Sequence, residues 1–281
     1  MQTSVSVFGL GLMGRPIARR LLGAGIAAKG WNRSTLSDDQ LSGIPLAASI
    51  DDAAQANICL LILADSNAVA AVLARLEPGL AAGQLVLDMG TSDPKRSREH
   101  ARRLAGRGIG WVDAPVSGGP DGAEKGSLAI MAGGAEGDFT RVRPLLEALG
   151  TPVRVGDAGA GHTAKLVNQL IVGLTIEAVA EALTLAEKSG IDPHLVQRAL
   201  RGGYADSKIL QVHGTRMIER RYVPGGKVKT QLKDMQMALS LATSVGARTP
   251  NLRTVTDLCQ KLADRGDGDL DHSALHKLLW S

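Results

Sequence analysis

The sequence predicts a Rossmann-like architecture in outline: a parallel, doubly wound α/β sheet followed by an all-α domain. Three observations carry this. Short apolar runs alternate with helical patterns over residues 1–160. A glycine-rich turn, GLGLMG at residues 9–14, closes the first apolar run and opens the first helix. Beyond Gly161 the strand-like runs stop and long helical patterns take over. Strands that alternate with helices assemble as a parallel sheet. A chain of 281 residues is also long for one core, so two domains are expected, 1–160 and 161–281.

Taken in order, Ser4–Phe8 reads as a buried strand, Arg15–Leu22 as a helix stopped by Gly23 and Gly25, and Ala27–Trp31 as a second strand. Asn57–Leu63 is a strand, Ala68–Leu76 a helix and Gln84–Asp88 a strand. Pro94–Arg107 is a helix with its basic residues on the wet face. Gly110–Ala114, Leu128–Gly133 and Thr151–Val155 complete the strands, and the domain boundary is placed at the glycine-rich stretch Gly156–Gly161. Helices are then expected at His162–Ser189, Pro193–Arg201, Leu210–Arg220, Leu232–Val245, Asn251–Asp264 and Ser273–Trp280.

Composition narrows the function. Hydrophobic residues make up 44% and charged residues 21%, as in ordinary globular proteins. The net charge of +4 is spread among interleaved acids and bases, which suits an anionic small ligand and gives no basic run to track nucleic acid. Aromatics at 2% leave no stacking platform for single strands. The two cysteines, Cys59 and Cys259, stand far apart with no Cys/His spacing, so neither a disulfide framework nor a metal site is expected. The chain opens directly into a strand pattern with no basic leader, and no stretch is expected to reach the roughly 18–20 apolar residues of a membrane span, so a cytoplasmic protein with no membrane partner is expected.

The glycine turn matches the dinucleotide fingerprint because of its context, after a strand and before a helix. Gly9 allows the tight turn, Gly11 the approach of the pyrophosphate, and Gly14 close helix–strand packing, with Leu10, Leu12 and Met13 completing the loop. The helix N-terminus then presents N–H groups to the diphosphate. The second strand ends in Trp31-Asn32-Arg33-Ser34-Thr35, with no acid before Asp38. An acid there binds the ribose 2′-hydroxyl of NAD, whereas Arg33 pairs with a 2′-phosphate and Asn32 and Ser34 add neutral donors. NADP is the expected cofactor, with NAD possible. The competing readings are a structural turn and a solvated arginine.

A second segment, Gly159-Ala-Gly161-His162-Thr-Ala-Lys165-Leu-Val-Asn168-Gln169, runs into a strongly apolar helix that is expected to be buried on most sides. Lys165, Asn168 and Gln169 share one helix face at i, i+3 and i+4. A lysine entering an apolar helix is costly unless partnered, and partial burial lowers its pKa toward the range of acid–base work. The alternatives are a lysine that snorkels to solvent and a base at His162, one turn earlier. The third segment, Asp113-Ala-Pro115-Val-Ser117-Gly118-Gly119-Pro120, follows a strand, where ligands of α/β sheets bind. The Ser117 hydroxyl and the N–H groups at Gly118 and Gly119 fit a small carboxylate; the bland reading is a stiff connecting loop.

Together these segments resemble the β-hydroxyacid dehydrogenase family along the whole chain. They are joined by DMGTSDP at 88–94, the loop RGGYADS at 201–207, QLKD at 231–234 and DHSAL at 271–275. The resemblance implies an NAD(P)-dependent oxidoreductase that interconverts a small β-hydroxy acid and its semialdehyde or keto acid, of 3-hydroxyisobutyrate or tartronate semialdehyde type. It implies Lys165 as proton donor and acceptor, Asn168 beside it, and Ser117, Gly118, Gly119 and Gln169 on the substrate. Leu63, Ala64, Thr91 and Lys233 are implied as cofactor contacts. The chain has Gln169 where some relatives have a second asparagine, and Ala64 where proline is common. Tyr204 and Asp206 sit where substrate choice is expected to be set. A homodimer or homotetramer is implied, and the long apolar helix is expected to be buried partly against another subunit. The alternatives are an imine reductase, a 6-phosphogluconate-type decarboxylating dehydrogenase and a non-enzymatic NADP-binding module. The presence of Lys165 and the short helical part weigh against them.

Overall fold

The computed structural model describes residues 3–280. The chain divides into two compact units on either side of the Lys165–Leu166 bond.

The first unit is built on one eight-stranded sheet. Its strands are β1 (Ser4–Phe8), β2 (Ala27–Trp31), β3 (Ile58–Leu61), β4 (Leu85–Asp88), β5 (Gly110–Asp113), β6 (Val116–Ser117), β7 (Leu128–Gly134) and β8 (Gly150–Gly156). The run β2-β1-β3-β4-β5 is parallel throughout. Helices α1 (Gly14–Gly23), α2 (Asp38–Leu41), α3 (Ile50–Ala53), α4 (Ser66–Leu76), α5 (Pro94–Ala105), α6 (Gly119–Lys125) and α7 (Glu136–Leu149) connect the strands. Burial of both sheet faces explains why the central strands are continuous apolar runs. The pleat sorts β3 between two cores. Ile58 and Leu60 pack with α1 and α7 side chains such as Ile17, Leu21, Val142 and Leu146. Cys59 and Leu61 pack on the other face with Leu73, Leu76 and Leu104 of α4 and α5.

The sheet departs from the all-parallel expectation at one side. β7 runs antiparallel to both β5 and β6, and β8 runs parallel to β7. One constant register relates β5 and β6 to β7, from Val112↔Gly134 to Ser117↔Ala129. The two short strands therefore form one line along β7, interrupted at Pro115, which has no N–H to give the ladder. Sequence patterning also missed α7, because Gly137 and Pro144 read as breakers. The buried stripe Phe139, Val142, Leu145, Leu146 and Leu149 outweighs them. α6 was hidden by its glycines, although Pro120 falls in its first turn, where proline is tolerated.

Helix α8 (Ala160–Lys188) begins in the first unit and continues into the second. The second unit holds the rest of α8 with α9 (Pro193–Leu200), α10 (Lys208–Ile218), α11 (Val228–Ser244), α12 (Pro250–Asp264) and α13 (His276–Trp280). Its core gathers Leu166, Ile176, Ala180 and Leu183 of α8 with Leu210, Met217, Met235, Val255 and Leu275. Two expectations for α8 need correction. Its 29 residues are long and apolar enough to cross a membrane, with a mean hydropathy of 1.5 over one 18-residue window. A search for uninterrupted apolar residues overlooks this, because Thr, Asn and Gln break the run without making the window polar. Nor is the helix covered on most sides of this chain: Val167, Ile171 and Leu185 are 54%, 57% and 69% exposed. One side of it, with Leu166, Ile176, Ala180 and Leu183, packs in the core of the second unit.

Candidate active site

The order of β2, β1 and β3 makes a topological switch point. The chain leaves β1 to one side for β2 and crosses to the other for β3, which opens a crevice at their carboxyl ends. The glycine turn lies there. Gly9 has φ 99°, and a Cβ on it would stand 2.5 Å from the Ile62 carbonyl oxygen. A Cβ on Gly14 would collide with the Gly9 carbonyl, so both glycines are demanded by the protein itself. Gly11 differs: a Cβ there would meet nothing within 4 Å. Its conformation does not require glycine and neither does its packing, so the open space beside the backbone fits a ligand that must come close. α1 has no acidic residue in its first turn and no side-chain cap, leaving its N-terminal N–H groups to the crevice. These residues fit a dinucleotide pyrophosphate.

Asn32 is placed differently from a simple ligand donor. Its Oδ1 accepts the Leu10 N–H at 3.0 Å and its Nδ2 donates to the Ser34 carbonyl at 2.9 Å. It therefore ties the glycine turn to the loop after β2, from which Arg33 and Ser34 stand exposed. Leu63 lies against Gly9, and its carbonyl faces Gly90 closely enough that a Cβ there would be 2.9 Å away. The loops after β1, β3 and β4, which carry Gly9–Gly14, Leu63–Ala64 and Thr91, thus line one edge of the sheet.

Farther along that edge, Asp88 and Asp113 end neighbouring strands and are register partners, both fully buried. Asp88 accepts the Gly90 N–H and the Ser92 hydroxyl, each at 3.0 Å. Asp113 accepts the N–H groups of Gly159 at 2.7 Å and His162 at 2.9 Å, which fixes the start of α8 to the end of β5. The His162 ring lies between the two carboxylates, Nε2 at 3.6 Å from Asp88 and Nδ1 at 3.8 Å from Asp113. Burial pushes the Asp113 carboxyl above its ordinary range, against the pull of His162 and the two N–H donors.

One turn after His162, Lys165 is 8% exposed, and its Nζ donates to the Val116 carbonyl at 2.8 Å. The ammonium is thus aimed at the residue just before Ser117, and Gly118 (φ 136°) and Gly119 (φ 67°) turn the backbone beyond it. The structure brings Lys165 together with the Ser117–Gly119 loop, and it does so within the first unit.

In the second unit a buried polar network surrounds Gln169. Its Nε2 donates to Asp234 at 2.7 Å and to Gln231 at 3.1 Å, while its Oε1 accepts from Asn168 at 2.9 Å. Both Gln169 amide protons are therefore committed inside the network. Lys233 Nζ lies 3.1 Å from the other Asp234 oxygen. Asp88, Gln231 and Asp234 lie in motifs quoted from the sequence, DMGTSDP and QLKD, but were given no role there. Asp88 left a signal, an ionisable residue closing an apolar strand. Gln231 and Asp234 gain their role only through contacts 62 and 65 residues away in sequence.

The chain matches known proteins along nearly its whole length. Residues 4–159 match the NAD binding domain of 6-phosphogluconate dehydrogenase. Residues 159–279 match a family described as NAD-binding of NADP-dependent 3-hydroxyisobutyrate dehydrogenase. The 2-hydroxy-3-oxopropionate reductase of Escherichia coli is 41% identical over 279 residues, 96% of this chain and 95% of that one. The 3-hydroxyisobutyrate dehydrogenase of Pseudomonas aeruginosa is 30% identical, with 98% of each chain covered. Among solved structures, Mycobacterium tuberculosis 3-hydroxyisobutyrate dehydrogenase with L-serine superposes with a TM-score of 0.89 at 28% identity, covering 100% of both chains.

Proposed function

The chain belongs to the β-hydroxyacid dehydrogenase family and is an NAD(P)-dependent oxidoreductase, and on that premise we propose that it interconverts a small β-hydroxy acid and its semialdehyde with Lys165 as general acid and base. The observation that carries this reading is the buried Lys165 ammonium, held 2.8 Å from Val116 O at the mouth of the Ser117–Gly119 loop. When bound, the nicotinamide supplies the hydride for the carbonyl carbon and takes it back in oxidation. The Ser117 hydroxyl and the N–H groups of Gly118 and Gly119 hold the substrate carboxylate. In reduction, Lys165 Nζ gives a proton to the carbonyl oxygen as charge develops there. In oxidation, the neutral amine takes the proton from the hydroxyl. Asn168, three residues along the same helix, orients the substrate, and Gln169 holds the Asn168 amide through its own fixed network.

NADP(H) is the preferred cofactor in this reading, because Arg33 stands exposed after β2 where an acid would select NAD. A three-carbon semialdehyde such as 2-hydroxy-3-oxopropionate is the leading substrate class, supported by the name of the 41% identical relative. The enzyme is cytoplasmic in this reading and assembles with itself, with Val167, Ile171 and Leu185 of α8 as the apolar surface covered. A monomer by light scattering at micromolar concentration refutes that assembly. The reaction is tested by following NADPH absorbance with a panel of semialdehydes, a cyclic imine and 6-phosphogluconate. Turnover of a semialdehyde is expected; turnover of the imine or the sugar phosphate alone overturns the proposal.

A further inference from the structure

His213 on α10 and His272, which opens the 3₁₀ turn His272–Leu275, stand 59 residues apart in sequence, and their rings meet edge to face. Their Nε2 atoms are 3.3 Å apart, with ring centroids at 4.5 Å and planes at 77°. A tetrahedral ion with metal–nitrogen bonds of about 2.0–2.1 Å places two ligand nitrogens about 3.3–3.4 Å from each other. The spacing is therefore that of two ligands on one ion. Behind His213, its Nδ1 lies 3.2 Å from Asp271 Oδ1, the carboxylate–histidine arrangement that fixes the tautomer of metal-bound imidazoles and raises their basicity.

We propose that His213 and His272 form a transition-metal site, holding a borderline ion such as Zn²⁺, Co²⁺ or Ni²⁺ through both Nε2 atoms. Asp271 serves as the outer carboxylate and does not bind the ion directly. Its Oδ1 already takes the Ser273 N–H and hydroxyl as well as His213. Its Oδ2 takes Arg216 at 2.6 Å and the N–H groups of Gly225 and Gly226. The Arg216–Asp271 pair is neutral overall, so the ion meets two imidazoles and little net charge. That favours nitrogen-seeking transition metals over Mg²⁺ or Ca²⁺, which require oxygen ligands. The ring of His272 lies against Gly226, where a Cβ would stand 3.2 Å from its Cε1. The His213 side chain is 18% exposed, so an ion has a path in and water can complete the coordination. Without metal, the two rings share one N–H···N hydrogen bond; on binding, the His272 proton moves from Nε2 to Nδ1, so that each neutral imidazole offers its Nε2 lone pair to the ion. Bound there, it clamps α10 to the turn after Asp271, a role separate from the proposed reaction.

The test is titration of tag-free, chelator-treated protein with Co²⁺, read by its visible absorption band, followed by competition with Zn²⁺. One equivalent per chain is expected, displaced by Zn²⁺ and untouched by excess Mg²⁺ or Ca²⁺. His213→Gln, which keeps an amide donor for Asp271, and His272→Gln should each weaken binding at least tenfold, while exposed His194→Ala leaves it unchanged. Circular dichroism of each variant guards against a fold defect. No saturable band in the wild type, or equal affinity in folded His213→Gln and His272→Gln, overturns the assignment.

Discussion

Replacing Lys165 by methionine separates chemistry from packing. Methionine keeps an unbranched side chain of similar length but carries no titratable proton. Loss of general acid–base catalysis costs about 10²–10⁴ in rate, or roughly 3–5 kcal/mol of transition-state stabilisation. The stability effect has two opposing parts. The bond from Nζ to the Val116 carbonyl, 2.8 Å long, is a charged hydrogen bond worth about 1.5–3 kcal/mol net. Keeping an ammonium at 8% exposure costs several kcal/mol of desolvation. Circular dichroism and the melting temperature of Lys165→Met check that the fold survives, so that a loss of rate reads on chemistry. NADPH binding, followed by fluorescence, should be unchanged, because the glycine turn is untouched. The assay is kcat by NADPH absorbance with whichever semialdehyde the wild type turns over. A Lys165→Met enzyme that keeps a tenth or more of wild-type kcat would remove Lys165 from the mechanism.

Arg33→Asp should reverse or erase the cofactor preference, and a wild type favouring NAD(H) tenfold in kcat/KM, about 1.4 kcal/mol the wrong way, refutes the reading of that loop. Gly11→Ala should fold normally, since its Cβ meets nothing within 4 Å, yet bind NADPH far more weakly, whereas Gly14→Ala should fold poorly; equal cofactor affinity in folded Gly11→Ala defeats the pyrophosphate assignment. Glu177 on α8 has its carboxyl pushed up to about 7 by burial and by a hydrogen bond shared with Glu181. A raised carboxyl stabilises the fold while protonated, so this contribution is complete below about 4.5 and lost as pH rises through about 7. Melting curves across that window should therefore fall less steeply for Glu177→Gln than for the wild type, and parallel curves count against the shared proton.

What the sequence revealed and what it concealed follow from the range of the forces involved. Local signals are decisive for β1 and β2, whose bounds Ser4–Phe8 and Ala27–Trp31 coincide with the expected strands, because a glycine turn and flanking breakers delimit them. α7 defeated the same reasoning. Its glycine and proline argue locally against a helix, and only the burial of Phe139, Val142 and Leu146 against the sheet overrides them. The antiparallel pairing of β7 was equally hidden, since strand direction leaves no trace in an apolar run. The glycine turn was legible for the opposite reason: Gly9 and Gly14 answer contacts within the turn itself or just beyond the adjoining strand β3, and Gly11 completes a short local motif.

The chemical groups were legible and their supports were not. Lys165 stands out because a charge in an apolar helix needs an explanation. Nothing nearby in sequence shows that Asp113, 49 residues earlier, holds the backbone of His162 and so sets the first turn of α8. His162 illustrates the consequence. By spacing alone it competes with Lys165 as the base, being a titratable ring one turn away. The structure encloses it completely between Asp88 and Asp113, with no exposed surface, whereas the Lys165 ammonium reaches the carbonyl that precedes Ser117. A proton on His162 can balance two buried carboxylates but has no open path to a substrate oxygen. Of the two carboxylates, Asp113 also takes the Gly159 and His162 N–H groups and so fixes the helix start from which the Lys165 ammonium reaches the Val116 carbonyl; enclosing one titratable group and presenting the next are two results of the same buried contact.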